Sequence, residues 1–139
     1  MTAVVLDTNV VVAGLRSGGG ASRAVLRAAL QGHLQPLFGN ALWLEYQEVL
    51  ARGVSGELTK SEERQQILAA LASQGCWVNV YFGWRPNLRD EGDNHLFELA
   101  MAGGAFAIVT HNTRDFLRPE INMPGPAILS PAQCLEVLP

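Results

Sequence analysis

Hydrophobic positions along the chain fall into short continuous apolar runs separated by segments with helical spacing. Ala3-Val4-Val5-Leu6 is rich in β-branched residues and stops at Asp7, which suits a strand covered on both faces. After Ser17-Gly18-Gly19-Gly20, the residues Val25, Leu26, Ala29 and Leu30 recur at helical intervals until Gly32, which predicts the first crossover helix. Leu34–Phe38 predicts a second strand. Asn40 is placed to cap a helix whose apolar stripe is Leu42, Tyr46, Val49 and Leu50, with Gly53 as its stop. Thr59 with Glu62 reads as a capping box for a third helix running through Ile67, Leu68 and Leu71 to about Gln74. Trp77 to Phe82 predicts another strand and Pro86 to Glu91 a loop. Gly92 to Ala102 predicts a helix closed by Gly103-Gly104, and Phe106 to Val109 a further apolar strand. Ala127–Leu129 and Ala132–Val137 supply a last strand and helix.

Strands alternating with helices predict a mainly parallel sheet with both faces covered, that is, a Rossmann-type three-layer α/β/α sandwich. A length of 139 residues with 48% hydrophobic side chains fits one domain, residues 1–139, and is too short for two. Ligands of open sheets gather outside the carboxyl ends of the strands, so Asp7 and the segment after Val109 are expected to open on one crevice.

Composition narrows the function classes. Apolar runs such as Ala105 to Val109 fall far below the roughly 18 residues of a membrane helix. The start of the chain reaches Asp7 with no basic residue ahead of an apolar stretch, so no secretory signal is expected and a cytoplasmic location is. Cys76 and Cys134 match no CxxC spacing and are expected to be two half-buried free thiols. The formal charge of −3 excludes a basic-groove nucleic-acid binder, yet it leaves room for a metal-dependent nuclease. Divalent cations held by carboxylates add positive charge at the place where a phosphate would react.

Four acids stand where solvation does not account for them. Asp7 follows the first strand, with a local turn or cap as its alternative role. Asp93 falls near the middle of the stripe made by Leu96, Phe97, Ala100 and Met101, whereas Asp90 suits a helix cap. Glu45 borders the inward stripe of its helix, and Glu48 lies further toward solvent. Asp115 follows Asn112 in the turn after Thr110, where a cap on a short helix is the alternative. If these acids meet, their repulsion demands a cation, and hard oxygen ligands favour Mg²⁺ or Mn²⁺ over zinc.

The blocks Val4-Val5-Leu6-Asp7-Thr8-Asn9-Val10, the glutamate of the second helix, Arg89-Asp90-Glu91-Gly92-Asp93-Asn94 and Ile108 to Phe116, in this order, resemble a PIN-domain ribonuclease. The resemblance implies an α/β/α sandwich and Mg²⁺- or Mn²⁺-dependent endonucleolytic cleavage of RNA. For bacterial single-domain members it also implies frequent service as the toxin of a toxin–antitoxin pair, with a small antitoxin as partner, and a homodimer is expected. Asp7, Glu45 and Asp93 match the family's first three acidic ligands, and Thr8 and Asn9 its site-shaping residues, with Thr110 and Asn112 beside them. The family's fourth acid commonly stands where this chain has Asn112, and Asp115 is the candidate substitute.

Arg16, Arg89 and Arg114 are candidates to orient RNA phosphates, as are Arg85 and Arg118. His33 and His95 read as solvated surface groups, and His111 as adjacent to the site without a catalytic role. The glycines at 18–20 lack the Gly-Lys-Ser/Thr ending of a phosphate-binding loop. A receiver-like phosphotransferase would want a late lysine, but Lys60 is mid-chain. A haloacid-dehalogenase-like site would want an acid where Asn9 stands. The reading from another class is an inactive PIN-like module that binds RNA or a protein without cutting, motivated by Asn112.

Overall fold

Five parallel strands form a sheet in the order β3-β2-β1-β4-β5, in a computed structural model that describes residues 2–16, 20–52, 61–80, 94–116 and 125–138. The strands are β1 (Thr2–Leu6), β2 (Leu34–Phe38), β3 (Cys76–Trp77), β4 (Ala107–Val109) and β5 (Ala127–Leu129). Among the described residues six helices flank them: α1 (Thr8–Leu15), α2 (Gly20–Leu30), α3 (Asn40–Ala51), α4 (Ser61–Gln74), α5 (Asn94–Gly103) and α6 (Pro131–Val137). The result is the three-layer α/β/α arrangement expected, with every strand pair parallel. Val4, Val5 and Leu6 of β1 and all three residues of β4 are buried without alternation, as strands covered on both faces must be.

β1 is the central strand because the chain crosses to β2 on one side of it and returns to β4 on the other. That reversal of strand order opens a crevice beyond the carboxyl ends of β1 and β4, where α/β sheets place their ligands. Asp7 and Thr110, each the residue after its strand, stand at the two lips of this crevice.

Several local expectations need correction. α1 had no counterpart in the apolar pattern. Val10-Val11-Val12 has poor intrinsic helix propensity, and packing of α1 on α2 and α3 overrides it. α3 begins as expected, but Gly39 occupies the cap position and makes no side-chain bond, so Asn40 is already helical. β3 ends at Trp77, although the N–H of Val78 still donates to the carbonyl of Phe38 at 2.7 Å. β4 starts one residue later than the apolar run, at Ala107. Ser130 caps α6 through a capping box with Gln133, with Pro131 in its first turn. Gly32 adopts φ +84° just past α2, the left-handed stop its position suggested. The stop at Gly53, the Thr59 capping box, the 86–91 loop and the residues 81–82 and 92–93 lie outside the described residues.

The core runs along both faces of the sheet, from Val25, Leu26 and Ala29 of α2 through the strands to Leu96, Leu99 and Ala100 of α5. Phe38 anchors an aromatic group with Trp43, Tyr46 and Trp77 beside β3. No helix among the described residues is long and apolar enough to cross a membrane. Cys76 and Cys134 are free thiols, but neither is half-buried as expected: Cys76 is exposed on the edge strand β3, and Cys134, in α6, is buried.

Candidate active site

Asp7 is buried at the cap position of α1, yet it closes no side-chain capping bond to that helix. The backbone N–H groups of Thr8 and Asn9 nonetheless favour its ionised form. Thr110 Oγ1 donates to Asp7 Oδ2 at 2.7 Å, a buried bond across the crevice between β1 and β4. The N–H of Asn112 donates in turn to Thr110 Oγ1 at 3.0 Å, which fixes the direction of the threonine proton. Beneath the acid, the hydroxyl of buried Tyr46 donates to the carbonyl of Leu6, the last of β1. Burial, joined by the negative charges of Asp7 and Glu45, pushes the Tyr46 phenol well above its ordinary range.

Glu45 reaches the same place from α3. Thr8 Oγ1 donates to Glu45 Oε1, and His95 Nε2, at the start of α5, donates to Glu45 Oε2 at 3.0 Å. Both carboxylate oxygens are thereby oriented. Because an ionised carboxylate only accepts, His95 donates to it through Nε2–H. Nδ1 is buried and has no hydrogen-bond partner among the described residues.

The two acids are perturbed in opposite directions. Asp7 is raised above the usual aspartate value, first by burial and then by the charge of Glu45, against the opposing pull of the Thr110 bond. Glu45 is lowered, first by the His95 hydrogen bond and then by that of Thr8, against the cost of its own burial. Among the described residues no Lys or Arg pairs with either carboxylate. The pair therefore carries negative charge in a part-buried crevice, with hydroxyl, imidazole and backbone N–H donors around it. Such a donor set fits a hard divalent cation, which would remove the repulsion that raises Asp7.

The other candidate residues divide clearly. Asn9 accepts the N–H of His111 through Oδ1 at 3.3 Å, tying α1 to the loop after β4. His111 shares a 2.8 Å hydrogen bond with Ser22 of α2, so its imidazole braces that loop. Asp115 lies in the 3₁₀ turn Thr113–Phe116, half-exposed, and its N–H donates to the carbonyl of Asn112 at 3.0 Å. No hydrogen bond links its carboxylate to Asp7 or Glu45 among the described residues. Arg16, the C-terminal cap residue of α1, and Arg114, in the 3₁₀ turn after β4, are both exposed. Asp93, Asp90, Arg89, Arg85 and Arg118 lie outside the described residues. Among those that are described, no three or more His, Cys, Asp or Glu side chains are grouped to hold one ion.

His95 is the residue beside Glu45 that the pattern of apolar positions misplaced. It was expected on the surface, but its side chain is only 24% exposed because α5 packs against α3 and delivers it to Glu45. Its position off the apolar stripe of α5 was real. What that reading lacked was the helix on the other side. His33, by contrast, is exposed as expected.

Comparison with known proteins gives one family. The model of the PIN domain matches residues 3–114, which takes in Asp7, Thr8, Glu45, His95 and Thr110. No curated protein matches the chain.

Proposed function

Because the chain belongs to the PIN domain family, whose members are generally metal-dependent nucleases, we propose that it is an endoribonuclease that cleaves RNA phosphodiester bonds at Asp7 and Glu45. The observation that carries this reading is the acid pair itself: two carboxylates, one just after β1 and one on α3, each oriented by hydrogen bonds and paired with no Lys or Arg among the described residues. Asp7 and Glu45 would hold Mg²⁺ or Mn²⁺, with Asp93 and Asp115 as the further acids and Asn112 as an amide ligand. A bound ion of this kind supplies charge that activates water and steadies the phosphate under attack.

This chain's own residues do the rest. Thr110 keeps Oδ2 of Asp7 engaged and so fixes the orientation of the carboxylate. Thr8 and His95 hold Glu45 ionised and in one orientation. Arg16 and Arg114, with Arg89, orient the phosphates of the strand by charge-assisted hydrogen bonds. Asn9, Thr110 and Asn112 set the shape of the loop after β4.

In its biological setting we read the protein as the toxin of a toxin–antitoxin pair, working in the cytoplasm as a homodimer with a small antitoxin partner. A monomer in light scattering at high concentration would count against the dimer. The replacement of the fourth acid by Asn112 favours one other reading, a PIN-like module that binds RNA or protein without cutting.

Incubation of single-stranded and structured RNAs with the protein, with and without Mn²⁺ or Mg²⁺, separates the two readings. Metal-dependent cleavage that EDTA abolishes and Asp7→Asn removes is expected. Cleavage undiminished by EDTA would sink the metal mechanism, and binding without cleavage in any metal would establish the module.

A further inference from the structure

We propose that a cavity of about 490 Å³ beside the acid pair is a subsite for a nucleobase of the bound RNA strand. The inference rests on the nuclease reading for its substrate, but the cavity is defined without it. Gly39 follows β2 and Val78 follows β3, and both line the cavity. In an all-parallel sheet it therefore opens on the same edge as Asp7, roughly 5–10 Å along at the usual strand spacing. His95 is part of its wall, and the same side chain bonds Glu45 at 3.0 Å, so the cavity and the acid pair share a partition one residue thick. A nucleotide next to the cleaved phosphate reaches it without leaving the sheet edge.

Size and chemistry select the occupant. The volume lies within the ~300–1,000 Å³ range of small-molecule sites. Leu42, Leu99, Val78 and Val80 give it apolar walls, while Asn40 and Asn79 present amides that both donate and accept. Apolar walls suit the faces of a planar ring, and amides suit its hydrogen-bonding edge. A phosphate is disfavoured, because Glu45 stands behind His95 and no Lys or Arg is among the described residues that line the cavity.

The absence of a side chain at position 39 helps to make this space. A Cβ built on Gly39 would meet Leu99 Cδ1 at 3.3 Å, the carbonyl of Val78 at 3.5 Å and Val80 Cγ2 at 3.8 Å, all in the cavity wall. Its backbone is extended, φ −140° and ψ 171°, so a larger residue is conformationally allowed there. Occupation of the cavity, and not backbone strain, is what such a residue would change.

The test titrates the full chain in EDTA with adenosine, guanosine, cytidine or uridine and, separately, with inorganic phosphate, following backbone amide shifts by NMR. At least one nucleoside is expected to shift the amides of Asn79, Val80 and Leu99, and phosphate is expected to leave them unmoved. Gly39→Val should weaken that binding at least 10-fold, the scale at which filling an apolar pocket acts. Val80→Trp fills the cavity from the exposed side and should do the same, which keeps the test intact if Gly39→Val fails to fold. No nucleoside binding at millimolar concentration, equal binding by wild type and a folded variant, or phosphate in place of nucleoside would overturn the subsite. RNA cleavage with metal but no nucleoside binding removes the subsite alone. Nucleoside binding with no cleavage in any metal removes the nuclease reading and leaves the subsite.

Discussion

His95 and Glu45 lie fifty residues apart in the chain and meet at 3.0 Å, Nε2 to Oε2, with one side of the imidazole spent on the carboxylate and the other buried. The bond orients the one oxygen of Glu45 that Thr8 leaves free. Groups that hold a metal ligand in place commonly contribute 10–100-fold to metal affinity. His95→Leu is therefore expected to weaken Mn²⁺ binding about 10-fold by calorimetry, and His95→Gln, which keeps a donor, to recover most of it. Equal affinity in His95→Leu and wild type would show that His95 only fills space.

Asp7→Asn should stabilise the protein when metal is absent. Burial and the Glu45 charge raise the folded-state value of Asp7 above its unfolded value near 3.8. The folded chain then holds a proton that the unfolded chain has released, so the contribution of Asp7 is fully present below that value and is lost as pH rises through the raised one. At pH 7 the ionised acid is a burden on the metal-free fold. A melt in EDTA is expected to rise by roughly 4 °C in Asp7→Asn, the shift about 1 kcal/mol produces in a domain of this size. The same variant should lose the stabilisation that Mn²⁺ gives wild type. A strongly lowered melt would mean that the Thr110 bond to the acid outweighs its charge.

Glu45 carries the opposite sign. Its folded-state value is lowered by His95 and Thr8, so its contribution is present above the unfolded value near 4.5 and is lost as pH falls through the lowered one. In metal-free acid titration, Glu45→Gln should flatten the loss of stability below about pH 4.5. An unchanged acid limb would show that the two hydrogen bonds do not favour the anion.

Asp115 and Asn112 test the departure from the family pattern. If Asp115 supplies the missing acid, Asp115→Asn should weaken divalent binding and cut activity about 10-fold or more, and Asn112→Asp should match or exceed wild type because it adds a charged ligand. Wild-type metal affinity and rate in Asp115→Asn would reduce Asp115 to a turn residue of the 3₁₀ segment.

Gly75 sits where α4 turns into β3, and a Cβ there would fall 2.4 Å from both the Phe38 ring and the carbonyl of Pro36. One of those atoms is backbone and cannot yield cheaply. Gly75→Ala should destabilise the protein by about 1–3 kcal/mol in denaturant unfolding, the usual cost of overpacking. A neutral result would mean that β3 can move off the sheet edge without loss.

The architecture and the first acids were legible in the sequence for a simple reason. Continuous apolar runs such as Val4-Val5-Leu6 are required in strands covered on both faces, and helical spacing such as Leu42, Tyr46 and Leu50 is required in helices that cover them. Asp7 was visible because it ends such a run, and Glu45 because it borders such a stripe. Tertiary structure decided what one-dimensional spacing does not contain. α1 is a helix because α2 and α3 pack on a β-branched segment that prefers otherwise. Trp77 ends its strand at the sheet edge, and Gly39 replaces Asn40 as the cap of α3. Thr8 and His95 bind Glu45 because three separate elements converge there, and Thr110 binds Asp7 because strand order reverses between β1 and β4. Periodicity records which face of one element is buried. The partner of a polar group on the edge of that face is set only when a second element arrives, so these hydrogen bonds belong to the folded protein alone.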